Sequence, residues 1–220
     1  IDRARDLGIK ERELEKNSIV ICSFGDASVN HASALSGFNT ARWVKSSGAN
    51  VPIVFICEDN GYGISVPTPR DWISNTFSNQ ENLKYFYCDG LNILDTINVT
   101  KQAEDYCRLT RSPVFLHMKT VRLMGHAGSD IESSYLSIGQ IEKTEKNDPL
   151  LHSARILIEN NCLSKDDILK LYEKSRNRIH SIFEKATTKP RITESSEVMD
   201  TIISKGIKTE DLVPITIFIS

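Results

Sequence analysis

Short β-branched and aromatic runs alternate with longer amphipathic stretches over the first 120 residues. SIVICSF, from Ser18 to Phe24, is bounded by polar residues on one side and Gly-Asp on the other, and reads as a buried strand. Residues 31–47 carry Leu35, Phe38, Ala41 and Val44 near one face, which predicts a helix. SSGAN is a loop, and VPIVFIC (51–57) is a second buried strand. After a long loop, KYFYC (84–88) is a third strand, ended by Asp89-Gly90. A helix over 93–110 and a fourth strand over 112–120, SPVFLHMKT, follow. A polar loop rich in Gly and Ser then runs to about residue 137. Strands alternating with helices predict an α/β fold with a mostly parallel, doubly wound sheet.

The pattern then changes. Asp148-Pro149 is an N-cap and first-turn pair for a helix over 149–160. Ser164 with Asp167 resembles a capping box and opens a second helix to about Lys185. Its apolar stripe is Ile168, Leu171, Ile179, Ile182 and Phe183. An antiparallel C-terminal helical pair packed against the sheet is expected. From Thr187 onward the chain is polar and irregular, a linker or partner-contacting tail. The expected division is 1–147 as the α/β domain, 148–186 as its helical pair, and 187–220 as the tail. The charged opening IDRARDLGIKERELEKN and the final apolar run VPITIFIS suggest a piece of a longer protein.

Composition narrows the class. With 40% apolar and 25% charged residues, 220 residues suffice for one domain with a sizeable core. A formal net charge of −2 carries no electrostatic footprint for nucleic acid or an anionic membrane. The longest apolar runs are too short to span a bilayer. The opening has neither the apolar centre of a signal peptide nor the acid-poor character of a transit peptide. Five scattered cysteines without CxxC or zinc spacing fit buried thiols in a reducing compartment.

Ligands of open parallel sheets bind beyond the carboxyl ends of the strands. Three loops there carry suggestive residues: Gly25-Asp26-Ala27-Ser28, Glu58-Asp59-Asn60-Gly61-Tyr62, and Arg122 to Asp130 with His126 between them. Each has a plain reading. Asp26 alone is a helix cap, Asn60-Gly61 alone is the strongest hairpin signal, and His126 alone is a loop histidine. Together, a carboxylate oxygen, an amide oxygen and a free carbonyl near phosphates are what octahedral Mg²⁺ accepts. No GxxxxGK[ST] loop or GxGxxG motif is present, which disfavours a nucleotide triphosphatase or a dinucleotide dehydrogenase.

GDAS, a helix, an apolar strand and EDNGYGIS resemble the thiamine diphosphate motif, whose usual form is GDG, then NN. MKTVRLMGHAGSDIESSYL resembles the histidine-bearing loop of the alpha part of 2-oxo acid dehydrogenases of the pyruvate and branched-chain type. The resemblance covers roughly residues 1–190, and looks most like bacterial proteins with alpha and beta parts fused. It implies the thiamine diphosphate-binding fold, with Asp26, the Asn60 side chain and the Tyr62 carbonyl as Mg²⁺ ligands. Ala27 and Ser28 would lie against the diphosphate. His126 would be the catalytic residue facing the cofactor, with Arg122 and Asp130 ordering its loop.

The implied activity is oxidative decarboxylation of a 2-oxo acid, with acyl transfer to a lipoyl group on a second enzyme. The implied partners are a beta part, separate or fused, and the lipoyl-bearing acyltransferase, in a homo- or hetero-oligomer in the bacterial cytoplasm. A glutamate that activates the cofactor is placed by the resemblance on the beta part, so this chain alone is expected to be inactive. Departures are Ala27 for the second Gly of GDG, Asp59 for the first Asn, and a 34-residue interval between Asp26 and Asn60. Ala127 stands where regulated mitochondrial relatives carry a phosphorylatable Ser, and Met124 where the pyruvate type has another His. An acetoin dehydrogenase of the same architecture, a non-catalytic assembly module and a generic Mg²⁺-dependent phosphate-binding protein stay open as alternatives. Asp59 has no assigned role. If the sheet is parallel, the chain after Ser65 leaves the edge instead of pairing back on its own strand.

Overall fold

A computed structural model describes residues 17–200. The opening segment to residue 16 and the apolar run VPITIFIS lie outside the described residues. The chain divides into two compact units, Ile1–Ser164 and Lys165–Ser220, each taken by itself below.

In the first unit four strands form one parallel sheet: β1 (Val20–Gly25), β2 (Ile53–Asp59), β5 (Lys84–Asp89) and β6 (Val114–Lys119), in the order β1-β2-β6-β5. Helices cover both faces. On one face Phe38 and Ala41 of α1 (Ala32–Ser46) and Ile73 and Phe77 of α2 (Trp72–Phe77) meet Phe55, Cys57 and Phe115. Phe77 stacks on Phe115 with ring centroids 4.1 Å apart. On the other face Ala103 and Cys107 of α3 (Ile93–Thr110) meet Val54, Cys88, Val114 and Leu116. Parallel strands covered on both sides need apolar residues throughout, and β6 is buried from Val114 to His117. This is the expected doubly wound α/β arrangement.

The expectation of a buried first strand is corrected. Among the described residues β1 has one neighbour, β2, and Val20 and Ile21 remain 42% and 63% exposed. An apolar run does not reveal whether its strand lies at the centre or the edge of a sheet. Cys22 is exposed for the same reason, and Cys162 is exposed too, whereas Cys57, Cys88 and Cys107 are buried; all five thiols are free. In α1, Phe38 and Ala41 are buried but Leu35 and Val44 stay exposed.

The stretch between β2 and β5 is not a plain loop. It holds a two-stranded antiparallel ribbon, β3 (Tyr62–Gly63) with β4 (Val66–Pro67), and then α2. The polar segment before residue 148 contains α4 (Ile138–Glu145), started by a capping box between Ser137 and Gln140. α5 (Pro149–Glu159) follows, with the Asp148 side chain accepting from the Leu150 N–H. In the second unit α6 spans Lys165–Thr187 and α7 spans Ser195–Met199. The two expected C-terminal helices thus fall in different units. Among the described residues no helix is long and apolar enough to cross a membrane.

Candidate functional site

β1 ends at Gly25, and the chain winds into a 3₁₀ turn, Asp26–Asn30. Asp26 is 1% exposed. Its Oδ2 accepts the Thr68 hydroxyl at 2.5 Å, and its buried Oδ1 has no hydrogen-bond partner among the described residues. Burial pushes its carboxyl above the usual range; the Thr68 hydrogen bond opposes this, and the Asp59 charge adds to it. Buried acceptors are rarely left alone. A carboxylate oxygen in this state is suited to a cation.

Ala27 packs against the ribbon. A Cβ added to Gly63 would lie 2.8 Å from the Ala27 Cβ. Gly63→Ala is therefore expected to destabilise the fold by about 1–2 kcal/mol through overpacking. Ala27→Gly in the same chain should recover most of that loss, a coupling that thermal or urea unfolding of the four proteins of a double-mutant cycle measures. Ser28, on the same turn, is exposed, and its carbonyl accepts the His31 N–H at 3.1 Å.

β2 ends at Asp59, and two successive side chains fold the backbone beyond it. The Asn60 Oδ1 accepts the Tyr62 N–H at 3.0 Å, and the Asp59 Oδ1 accepts the Gly61 N–H at 3.1 Å. Gly61 has φ +82°, a conformation that costs glycine little. Its carbonyl accepts the Thr68 N–H at 2.9 Å. Thr68 thus ties this turn to Asp26 with its backbone and its hydroxyl. Among the described residues β2 pairs with β1 and β6 alone, so Asn60-Gly61 does not turn a hairpin on it. The hairpin that exists is the small ribbon two residues later, where Ile64 takes φ +60°.

Asp59 is the centre of a polar cluster. Its Oδ2 lies 2.9 Å from the His117 Nε2, and its Oδ1 also accepts the Lys119 ammonium at 3.0 Å. The His117 Nδ1 lies 2.7 Å from the Tyr85 hydroxyl. Burial raises the Asp59 carboxyl, but the hydrogen bonds and charges of His117 and Lys119 outweigh it and hold it at about 2. The Tyr85 phenol is pushed up, first by burial. Strand pairing makes the cluster: Asp59 sits opposite Lys119, and Cys57 opposite His117. Residues two apart on β6 share a face, so Phe115, His117 and Lys119 project to the same side.

The third loop reaches the ribbon through Arg122. Its guanidinium donates to the Ile64 carbonyl at 2.5 Å and to the Tyr135 hydroxyl at 2.7 Å, and lies 5.1 Å from the Tyr62 ring centroid. The Asp130 Oδ2 accepts the His126 N–H at 2.6 Å and the Tyr135 hydroxyl at 3.1 Å, with Arg122 3.8 Å away. These contacts, the His126 N–H first, hold the Asp130 carboxyl below its usual range. A Cβ on Gly125 would come within 2.1 Å of the Asp130 carbonyl oxygen, so the loop closes only with glycine there. His126 stands exposed on this loop.

A scan against protein families matches residues 3–195 to the dehydrogenase E1 component. The chain belongs to the dehydrogenase E1 component family. It is 28% identical over 178 residues to the mitochondrial pyruvate dehydrogenase E1 component subunit alpha of Sminthopsis macroura, covering 80% of this chain and 48% of that one. It is 27% identical over 179 residues to the mitochondrial 2-oxoisovalerate dehydrogenase subunit alpha of Homo sapiens, covering 80% and 39%. The Dictyostelium discoideum pyruvate dehydrogenase subunit alpha is 25% identical over 175 residues, covering 79% of this chain and 45% of the relative. The chain spans about half the length of these curated relatives, or less.

In this E1 family member, three residues at the edge escape the sequence reading: Thr68, His117 and Lys119. Thr68 carries no local signal, since its role depends on the ribbon. His117 carried one: an ionisable residue inside an apolar parallel strand needs a partner, and Asp59 was a carboxylate without one.

Proposed function

We propose that this chain is the alpha part of a thiamine diphosphate-dependent 2-oxo acid dehydrogenase, acting with Mg²⁺ on pyruvate or a branched-chain 2-oxo acid. The observation that carries the reading is the buried Asp26 Oδ1, left without a hydrogen-bond partner among the described residues beside a turn that carries Asn60 and Tyr62. Among the described residues no three His, Cys, Asp or Glu side chains gather as a metal cluster. A Mg²⁺ site that takes one carboxylate, an amide oxygen and a backbone carbonyl, with phosphate and water completing the shell, does not need one.

In this reading Asp26, the Asn60 Oδ1 and the Tyr62 carbonyl hold the ion. The Asn60 oxygen already accepts one N–H and keeps a second lone pair. Ala27 and Ser28 lie against the diphosphate. When bound, thiamine diphosphate supplies the carbanion stabilisation that loss of CO₂ from a 2-oxo acid needs. His126, exposed on a loop tied by Asp130, binds the substrate carboxylate and can donate or accept a proton there. Arg122 keeps that loop on the ribbon. The acyl group goes to a lipoyl group of a partner acyltransferase, and a beta part completes the site.

The test is reconstitution of the complete enzyme with its beta part. Expected is release of CO₂ from pyruvate or a branched-chain 2-oxo acid, and acylation of a lipoyl domain, both dependent on thiamine diphosphate and Mg²⁺. Turnover of acetoin alone would reassign the substrate. No binding of the cofactor at millimolar Mg²⁺ would leave a non-catalytic assembly module.

A further inference from the structure

Asp59 stands one residue before the proposed ion-binding turn, and both of its oxygens are engaged. Oδ2 faces the His117 Nε2 at 2.9 Å, while Oδ1 takes the Lys119 ammonium and the Gly61 N–H at 3.0 and 3.1 Å. An ionised carboxylate only accepts, so the proton of this contact is on the His117 Nε2. In the neutral ring the Nδ1 then accepts the Tyr85 hydroxyl at 2.7 Å, and in the charged ring it donates to that oxygen; the Nε2–H faces Asp59 in both. One imidazole tautomer satisfies both neighbours, and a 4% exposed histidine has little room to turn. The chain of contacts therefore runs from β5 through β6 to the end of β2, and finishes on a backbone N–H at the residue with φ +82°.

We propose that His117 is a positioning residue for the cation cradle. Its Nε2–H fixes the Asp59 carboxylate, and that carboxylate fixes the Gly61 N–H. The orientation of Gly61 in turn sets where the Asn60 amide and the Tyr62 carbonyl point. Lys119, half-exposed at the strand end, holds the same Oδ1 from the solvent side. Partners that orient first ligands are worth roughly 10- to 100-fold in metal affinity in known sites. The inference rests on the reading of Asp26, Asn60 and Tyr62 as the ion's ligands.

The test uses the complete enzyme and isothermal calorimetry with thiamine diphosphate at fixed Mg²⁺. His117→Gln keeps a donor near the Nε2 position, whereas His117→Asn places its amide nearer the Nδ1 side and His117→Leu has no donor. Expected is a 10- to 100-fold weaker cofactor affinity for the Asn and Leu variants, substantially recovered in the Gln variant, with KM for the oxo acid changed less than about twofold. Lys119→Met, on a side chain 47% exposed, should show a smaller loss in a folded protein. Unchanged affinity in His117→Leu would overturn the proposal. So would Gln and Asn variants weakened alike, which would make the effect one of packing. Asp26→Asn is the control: if it leaves Mg²⁺-dependent binding intact, the ligand reading itself fails, whatever His117 does.

Discussion

Asp26→Asn in the complete enzyme is expected to weaken Mg²⁺-dependent thiamine diphosphate binding by roughly a hundredfold or more, and turnover with it. The same change should not harm the cofactor-free fold. The amide oxygen can still accept the Thr68 hydroxyl, and the substitution removes a buried charge whose second oxygen has no partner. Burial holds the folded carboxyl above its ordinary value, so its contribution to stability is complete below that value and is lost as pH rises through the folded one. At neutral pH the native Asp26 is therefore a cost. The cofactor-free variant should melt at the same temperature as the parent or up to roughly 2–4 °C higher, equivalent to about 1 kcal/mol. Calorimetric melting with and without cofactor measures both halves. A cofactor-free melting point several degrees lower would show that Asp26 serves the fold and not an ion.

Asp59→Ala should do the reverse. It strips the acceptor from a buried imidazole and from an ammonium group, and frees the Gly61 N–H. Leaving such donors unpaired costs about 3 kcal/mol, or roughly 6–12 °C for a chain of this size. The pH dependence has the opposite sign to that of Asp26. The folded Asp59 carboxyl sits at about 2, below its ordinary 3.8, so its contribution is complete above about pH 4 and is lost as pH falls toward 2. Asp59→Asn, which keeps an acceptor for the Gly61 N–H, should flatten the fall of stability over that acid window. Urea unfolding at about pH 3 and pH 6 would show it, and parallel slopes for parent and variant would rule it out. Two carboxylates near one edge thus divide the work: one is stabilised by its neighbours, and the other is held ready for something from outside.

That division bears on affinity as well as stability. On the proposed reading, a buried Asp26 without a cation partner would cost stability until the cofactor binds, and binding to the folded state would restore it. Thr68 and the Ala27–Gly63 contact hold the Asp26 and Asn60 turns together. Arg122 does the same for the histidine loop, with one side chain contacting both the Ile64 carbonyl and the Tyr62 ring.

The sequence by itself determined the layered α/β class, because apolar runs of strand length spaced by amphipathic helices have few other ways to bury their faces. It determined the helix limits where caps are explicit, as at Pro149, and it marked Asp26, Asn60 and His126 by the loops that carry them. It could not show that β1 has a single neighbour among the described residues, since hydrophobicity does not say how many neighbours a strand has. Nor could it pair Asp59 with His117, 58 residues apart. Which residues stand side by side on neighbouring strands depends on strand order, and the order β1-β2-β6-β5 brings together strands far apart in the chain. Only that order put an imidazole beside Asp59, a carboxylate of the motif without an assigned role.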